Sequence, residues 1–375
     1  AIVDAANDSG GIYRSEDTGK SWTRVNAYMS TSPQYYNELF VCPTDPDRLF
    51  IMDTVTKYSV DGGQTLKALG RRNRHVDDHA LWINPDNPDH LVIGGDGGIY
   101  ETYDHGVNWK FKPNLPITQF YRATADNSEP FYYVYGGTQD NNTLGGPSRT
   151  KSPAGIANED WFITVGGDGY KTQIDPDDPN IVYSQWQYGN LVRHDRRSGE
   201  IVYIKPIEGP DDPANRWNWN TPLILSPHDP HRLYFASQRL YRSDDRGDGW
   251  TAVSDDLTRG LDRNQLEVLG VIQKPDAVSK HRSTSIYGNI VSLDESHLVE
   301  GLIYVGTDDG LIQVTEDGGA TWTKYGTFPD VPQLTYVSDV FACRHDPDTV
   351  YASFDGRKNG DFTPWLFRSP DRGRT

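Results

Sequence analysis

One eight-residue motif, Ser/Thr-x-Asp-x-Gly-x-x-Trp, recurs along this chain and constrains its fold more than any other feature. It starts at six positions: Ser15, Ser59, Thr102, Ser243, Thr315 and Ser369. The second copy has Leu66 in place of Trp, and the sixth reaches Gly373 without a Trp position following it. In such an Asp box the hydroxyl and the carboxylate accept backbone N–H groups, and Gly permits a positive φ. We therefore expect six hairpin turns, each held by its aspartate: Asp17, Asp61, Asp104, Asp245, Asp317 and Asp371.

The spacing of the boxes predicts a repeat of 40 to 50 residues. The first three starts lie 44 and 43 residues apart, whereas the third and fourth lie 141 apart, which leaves room for two repeats without a recognisable box. An Asp-Pro or Asn-Pro turn precedes an apolar strand in several repeats, and a box follows the proline after 13 or 14 residues. Counting the same distance from Pro179 reaches Arg193-His194-Asp195, which we interpret as a degenerate box.

Each repeat is typical of four antiparallel strands, and the third repeat shows them best. Its strands are expected at 80–84, 90–94, 99–103 and 109–112. Four-stranded units in series predict an all-β protein, a β-propeller of about seven to eight blade units. We expect residues 1–375 to form one Asp-box propeller region, a fragment of a longer multi-propeller protein, with partial blades at 1–27 and 340–375.

Composition narrows the partners. The chain has 36 Lys+Arg against 53 Asp+Glu and a formal net charge of −17, which argues against nucleic acid. No apolar run approaches the roughly 20 residues that a membrane helix needs, so no membrane insertion is expected. The two cysteines form no ligand motif, and no phosphate loop, dinucleotide fingerprint or nucleophile elbow is present. We therefore expect no cofactor, whereas the sequence leaves a metal undecided.

Acidic residues recur where the second strand of a repeat turns into the third. They are Asp8, Asp96, Asp140 and Asp309, the last within Asp308-Asp309-Gly310. If these loops share one mouth of a propeller, crowded carboxylates there can supply the acid and base of glycoside hydrolysis. Asp8 and Asp96 are the catalytic candidates, and Asp140 and Asp309 are candidate ligand-binding residues. The alternative is that Asp-Gly only forms the turn.

Three further groups are candidate ligand-binding residues. His75, Asp77 and His79 alternate in sequence and would project to one side of an extended strand, as a metal or acid–base group requires. Asp168 is a further carboxylate expected near the mouth. Trp217 and Trp219 offer flat faces for sugar rings. The alternatives are hydrogen-bonded structure for the histidines and aspartates, and blade packing for the tryptophans.

Four segments give the chain a resemblance to a family: His75–Ile83, Gly137–Asn141, Arg216–Pro222 and Thr307–Gly310. On them the chain resembles the bacterial secreted Asp-box (BNR) repeat proteins described as sortilin-like or glycosyl-hydrolase-like. That resemblance implies an exported, longer protein with further propeller blades of its own chain. The Asp8 and Asp96 loops are also similar to the Thr-Asp-Val-Gly-Gly segment that bears a catalytic Asp in xyloglucan-cleaving Asp-box glucanases. Sialidases are disfavoured, since the chain has no Arg-Ile-Pro motif.

Two functions follow as expectations. The first is an exported, carbohydrate-directed propeller, a glycoside hydrolase if two mouth aspartates lie at the right separation. The alternative is a non-catalytic, sortilin-like propeller that binds an extracellular protein or peptide, or a structural subunit of the cell surface. Sequence leaves open whether the chain is catalytic. The expected location is extracellular, periplasmic or at the cell surface.

Overall fold

The computed structural model of the chain describes residues 1–6, 8–115, 118–278, 280–281 and 286–375. In these residues the regular structure is almost entirely antiparallel β-sheet. The helical elements found there are three short 3₁₀ turns, at Asn158–Asp160, Arg263–Gln265 and Arg357–Asn359. The chain forms two compact units, which we call unit 1 (Ala1–Thr118 with Leu266–Thr284) and unit 2 (Gln119–Gln265 with Ser285–Thr375).

Unit 1 contains three sheets and a hairpin, and in each of them strands that follow one another in the chain pair antiparallel. Sheet 1 has strands β1 (Ile2–Val3), β2 (Gly11–Arg14) and β3 (Thr23–Asn26). Sheet 2 has β4 (Leu39–Cys42), β5 (Asp45–Ile51), β6 (Lys57–Ser59) and β7 (Lys67–Ala68). Sheet 3 has β8 (Asp78–Ile83), β9 (Leu91–Gly95), β10 (Gly98–Thr102) and β11 (Lys110–Phe111). The hairpin pairs β24 (Glu267–Val268) with β25 (Val271–Ile272).

Unit 2 repeats the same plan in five sheets, four of them four-stranded within the described residues. Sheet 4 has β12 (Arg122–Ala125), β13 (Tyr133–Gly137), β14 (Thr143–Pro147) and β15 (Phe162–Val165). Sheet 5 has β16 (Gln173–Ile174), β17 (Ile181–Trp186), β18 (Asn190–Asp195) and β19 (Glu200–Tyr203). Sheet 6 has β20 (Leu223–Leu225), β21 (Leu233–Ala236), β22 (Leu240–Ser243) and β23 (Thr251–Ala252). Sheet 7 has β26 (Ile290–Glu295), β27 (Ile303–Thr307), β28 (Ile312–Thr315) and β29 (Thr323–Tyr325). Sheet 8 has β30 (Tyr336–Ala342), β31 (Val350–Asp355) and β32 (Trp365–Ser369).

The structure confirms the strand order predicted for the third repeat, with bounds shifted by one or two residues. The long gap between the third and fourth boxes holds the two expected units, sheets 4 and 5. The degenerate box lies there, but its alignment is wrong by two residues. Asp195 ends β18, where other boxes have Ser or Thr, and its Oδ1 accepts the Arg197 N–H at 2.8 Å. A carboxylate therefore replaces the hydroxyl as the first acceptor of this turn.

The boxes make the hydrogen bonds that their chemistry predicts. In the first, Gly19 N–H donates to Ser15 Oγ at 2.8 Å and Ser21 N–H donates to Asp17 Oδ1 at 2.9 Å. The same two bonds recur at the other complete boxes, with small changes in length. The second to fifth boxes join the third strand of a sheet to the fourth, as expected, whereas the first box joins β2 to β3 of the three-stranded sheet 1 and the sixth follows β32. The six box aspartates are structural residues of these turns.

The box tryptophan also connects neighbouring sheets. Three indole N–H groups donate to a carbonyl just after the fourth strand of the preceding sheet: Trp109 to Gly70 at 2.7 Å, Trp250 to Ile204 at 2.7 Å and Trp322 to Val253 at 3.3 Å. In the Trp250 box the glycine packs against the same residue as the tryptophan, since a Cβ on Gly247 would come within 2.6 Å of Ile204 Cδ1. Each of these boxes therefore closes its own hairpin and fixes the sheet before it.

The cores lie between successive sheets. In unit 2 a tyrosine on the second strand of sheets 4 to 7 is almost fully buried: Tyr135, Tyr183, Tyr234 and Tyr304. Burial raises the pKa of Tyr234 to about 12, and raises that of the other three still further. The fold is thus all-β and built from repeated four-stranded antiparallel sheets, as predicted. Closure into a propeller, the number of blades and the one-region domain assignment remain predictions.

Candidate functional site

Asp96 lies in the tight turn between β9 and β10 of sheet 3, next to the residue that precedes β8. Asp96 N–H donates to the carbonyl of Asp77 at 3.1 Å, and Asp77 N–H donates to the carbonyl of Thr54 at 3.0 Å. Gly95 allows this close approach, because a Cβ there would lie 2.2 Å from Asp77 O. The turn between β9 and β10 is therefore hydrogen-bonded to the residue that precedes β8.

The extended conformation predicted for residues 75–79 is wrong at its centre. Asp77 has φ 66°, in the left-handed region, and β8 begins only at Asp78. A register shift follows between Asp78 and Ala80. Aspartate tolerates the left-handed region better than most residues, and its two backbone bonds hold it there. The alternation argument therefore fails, although Asp77 and His79 still lie together.

Asp77 and Asp96 form a carboxylate pair. An oxygen of one lies within 4.8 Å of an oxygen of the other, and both side chains are half-buried. The Tyr36 hydroxyl donates to Asp77 Oδ1 at 2.5 Å, and His79 Nε2 lies 3.2 Å from Asp96 Oδ1. Burial, with the hydrogen bond to Asp77, raises the pKa of Tyr36 well above its usual range, so the phenol stays a proton donor. Each carboxylate of the pair therefore has a polar neighbour: Tyr36 donates to Asp77, and His79 faces Asp96.

Aromatic rings form one side of this cluster. Tyr36 stacks on His79 with ring centroids 5.2 Å apart, and Tyr35 meets His79 edge-on at 5.0 Å. The Tyr35 side chain is 51% exposed. An exposed aromatic ring beside carboxylates offers a hydrophobic face to a sugar ring and polar groups to its hydroxyls. Tyr35 and Tyr36 were missed by sequence reasoning, because they lie in another repeat, about 60 residues before Asp96.

His75 and Asp8 lie differently from the pair. His75 Nδ1 is 2.6 Å from Val76 O, and its backbone N–H donates to Tyr100 Oη at 3.3 Å. Its side chain packs under the sheet 3 turn, where a Cβ on Gly97 would be 2.2 Å from His75 Cβ. Asp8 is exposed in the turn between β1 and β2, with φ 58°. Its catalytic role remains a prediction.

In unit 2, Asp140 and Asp168 belong to one hydrogen-bonded group. Asp140 N–H donates to Asp168 Oδ1 at 2.8 Å, and Gln187 Nε2 donates to Asp168 Oδ2 at 2.8 Å. Asp168 is buried and Asp140 is half-buried with φ 60°. The Asp168 carboxylate therefore organises the loop after β13.

Asp308 is a buried carboxyl that the sequence did not single out. It follows β27 and accepts backbone N–H groups from Asn289 at 2.7 Å and Gly288 at 3.1 Å. Burial nevertheless raises its pKa to about 6, with a smaller contribution from Asp309. The predicted Asp309 is fully buried, and its Oδ2 accepts Arg259 N–H at 2.7 Å. Asp308, with its raised pKa, has the property expected of a general acid.

The two predicted tryptophans differ in environment. Trp217 is 6% exposed and stacks on Phe235 with centroids 5.1 Å apart, as part of the core between sheets 5 and 6. Trp219 is half-buried and meets Tyr188 edge-on at 5.1 Å. This packing favours the core alternative for Trp217. Trp219 keeps its place as a candidate.

Comparisons with known proteins point to carbohydrate-active relatives. No family model matches the chain. It is 24% identical over 229 residues to a probable oligoxyloglucan-reducing end-specific xyloglucanase of Neosartorya fischeri, covering 54% of this chain and 24% of that protein. It is 27% identical over 181 residues to the oligoxyloglucan-reducing end-specific xyloglucanase of Emericella nidulans, covering 44% of this chain and 19% of that protein. The matched region thus spans about a quarter or less of either relative.

Among solved structures, the chain is similar to a GH74 enzyme of Niastella koreensis, with a TM-score of 0.28, 12% identity, and 98% of this chain and 69% of that one covered. It is also similar to a GH74 xyloglucanase of Xanthomonas campestris, with a TM-score of 0.28 and 14% identity, covering 98% of this chain and 70% of that one. The extracellular domain of a putative one component system of B. thetaiotaomicron matches with a TM-score of 0.42 and 11% identity, covering 91% of this chain and 39% of that one. None of the helices in the described residues has the length and apolar character needed to cross a bilayer.

Proposed function

We propose that this chain is an exported, carbohydrate-directed protein in which Asp77 and Asp96 hydrolyse a glycosidic bond. The observation that carries the proposal is the pair itself, with nearest oxygens within 4.8 Å. Glycosidases use two carboxyl groups roughly 5 to 10 Å apart, one as acid and the other as base or nucleophile. The nearest oxygens of Asp77 and Asp96 lie just below that range, closest to the separation of about 5 to 5.5 Å found in retaining enzymes.

The hydrogen bonds around the pair assign the roles. Tyr36 donates to Asp77, so this carboxylate is oriented as a hydrogen-bond acceptor. Asp77 is accordingly the base or nucleophile. Asp96, the second carboxyl of the pair, is then the general acid. Protonated Asp96 donates to the leaving glycosidic oxygen, and His79 at 3.2 Å orients it.

The aromatic side of the cluster supports a sugar as the ligand. Tyr35 is half-exposed and held at right angles to Tyr36, with centroids 5.3 Å apart. A ring fixed in this way binds a pyranose face at little cost in side-chain entropy. The xyloglucanases with which the chain shares 24% and 27% identity make a β-linked glucan the first substrate class to test.

The testing experiment is incubation of the chain with a polysaccharide panel that includes xyloglucan, mixed-linkage β-glucan, xylan and pectin. New reducing ends are measured by a colorimetric assay, and products by mass spectrometry. Release from at least one glucan is expected, and its loss in Asp96→Asn assigns it to the pair. Asp8→Asn tests the other predicted catalytic residue in parallel. No release from any polysaccharide, together with retained binding of a protein or peptide, would replace hydrolysis with the sortilin-like alternative.

A further inference from the structure

Unit 2 carries two cations on or next to the first strands of neighbouring sheets. Arg122 begins β12, and Lys171 lies two residues before β16. Gly137 of β13 connects the two segments, because it pairs with Arg122 and its N–H donates to Tyr170 O at 3.0 Å. A Cβ on Gly137 would lie 2.0 Å from Tyr170 N, so the backbone packs closely there. Arg122 and Lys171 lie close enough for their charges to act on one another.

Two carboxylates, Asp294 and Asp339, lie within range of these cations. Asp294 on β26 is engaged by Arg344, with Nη1–Oδ2 at 3.0 Å and Nη2–Oδ1 at 3.1 Å, and it also accepts Ala342 N–H. Asp339 lies on β30. Among the described residues, no ion pair joins Arg122 or Lys171 to either carboxylate. Arg122, Lys171 and Asp339 thus have no ion-pair partner in the part of the chain that the structure describes, and Arg122 makes a hydrogen bond with Tyr170.

The charges act on one another although they are not paired. Burial lowers the pKa of Lys171, and the charges of Asp294 and Asp339 oppose that change. Burial raises the pKa of Asp339, and Arg122 and Lys171 oppose it. A half-buried ammonium without a partner is costly unless a counter-charge reaches it. In a chain of net charge −17, a half-buried Lys171 kept beside the exposed Arg122 indicates a site for an anionic ligand.

Aromatic rings flank the cations. Tyr121 and Tyr170 meet with ring centroids 5.6 Å apart, and the Tyr121 hydroxyl donates to Gln139 Oε1 at 2.8 Å. Tyr336, which begins β30, lies within range of the charge of Arg122. Tyrosine rings beside cations fit a sugar ring that bears a carboxylate better than they fit a small inorganic anion.

We propose that unit 2 binds an acidic sugar, a hexuronate residue of a glycan, with its carboxylate between Arg122 and Lys171 and its ring against Tyr121 and Tyr170. The choice of a glycan rests on the proposed function, whereas the need for an anion rests on the cluster alone. The charge of Asp339 acts on both cations and limits how strongly the ligand's carboxylate is held. The residues of this cluster belong to unit 2, whereas Asp77 and Asp96 belong to unit 1.

Calorimetric titration with digalacturonate tests the proposal, with cellobiose as the neutral disaccharide. The Asp96→Asn variant is titrated, so that loss of hydrolysis and loss of binding are distinguished. Digalacturonate is expected to bind, cellobiose to bind at least tenfold more weakly, and added NaCl to weaken the acidic sugar only. Arg122→Gln and Lys171→Gln should each weaken binding at least tenfold, and Asp339→Asn should strengthen it. The exposed Arg197→Gln, with its fold checked by circular dichroism, is the matched control and should bind as the parent does.

Three results would overturn the proposal. Equal binding of cellobiose would remove the role of the carboxylate. Unchanged affinity in Arg122→Gln, whose side chain is exposed and whose loss the fold tolerates, would remove the cation site even if Lys171→Gln failed to fold. Tighter binding of a peptide with a free C-terminal carboxylate than of digalacturonate would replace the sugar by a peptide ligand.

Discussion

Trp250 donates its indole N–H to the backbone carbonyl of Ile204 at 2.7 Å and so joins sheet 6 to sheet 5. The same bond recurs at Trp109 and Trp322, which makes the box tryptophan a connector between sheets as well as a part of its own turn. Trp22 is different, since it is 51% exposed and donates to Gly19 of its own box at 3.1 Å. The box has one sequence but two structural settings.

Replacement of these tryptophans should therefore have unequal effects. Trp250→Ala removes a half-buried ring and leaves the Ile204 carbonyl without its partner, so we expect a loss of about 3 kcal/mol in the free energy of unfolding. Trp22→Ala should cost less than about 0.5 kcal/mol, as for other exposed positions. Urea unfolding followed by circular dichroism measures both. Equal losses would contradict the connecting role of Trp250.

The box aspartates should make the fold sensitive to acid. Hydrogen bonds to Asn108 and Thr102 lower the pKa of Asp104 to about 2, below its unfolded value of about 3.9. Asp17, Asp61 and Asp317 are lowered to about 2 for the same reason. A carboxyl with a depressed folded pKa stabilises above the unfolded pKa, and this stabilisation disappears as pH falls towards 2. Unfolding measured between pH 5 and pH 2 should show a shallower loss in Asp104→Asn than in the parent chain.

Asp308 should have the opposite effect on the pH dependence of stability from the box aspartates. Its pKa is raised to about 6 by burial, so the folded state holds this proton more tightly than the unfolded state does. Stability should fall as pH rises from about 4 to about 6, and a change of this size corresponds to about 3 kcal/mol. Asp308→Asn, which carries no charge, should flatten the slope over that window. A carboxyl resonance of Asp308 that titrates near pH 4 in NMR would contradict it.

Much of the architecture could be predicted from sequence because each box is a local device. The turn, its strand pair and the positions of the missing repeats depend on residues a few positions apart. Asp195 was assigned to the wrong position in its box because its carboxylate accepts the backbone hydrogen bond that a Ser or Thr hydroxyl accepts in the other boxes. The β24–β25 hairpin was not predicted, since it breaks the repeat between the fourth and fifth boxes.

The candidate site was predicted only in part, and for a different reason. Asp96 was found because its turn repeats in several sheets. Asp77 and His79 were found through an extended conformation that the structure does not have, because the left-handed φ of Asp77 depends on Thr54 of sheet 2. Tyr35 and Tyr36 come from yet another loop. Contacts between repeats depend on packing, which periodicity does not encode.

Tyr36 offers a test of positioning within the proposed site. Tyr36→Phe keeps the stacking on His79 and removes the hydroxyl that donates to Asp77 at 2.5 Å. Loss of that hydrogen bond should lower kcat roughly 10- to 100-fold, while KM changes little because the ring remains. Tyr35→Ala should do the reverse and raise KM, since it removes the exposed ring. Equal effects on kcat and KM in both variants would contradict the division of roles.

The central claim, that Asp77 and Asp96 act together on a glycosidic bond, is tested most directly by one rate comparison. Initial rates of reducing-end release are measured for the parent chain, Asp77→Asn, Asp96→Asn and the control Asp86→Asn, an exposed carboxylate in the turn between β8 and β9. Loss of a catalytic acid or base costs about 10²- to 10⁴-fold, so both pair variants should fall by at least 100-fold while Asp86→Asn keeps the parent rate. Parent-like rates in Asp77→Asn and Asp96→Asn would contradict the account.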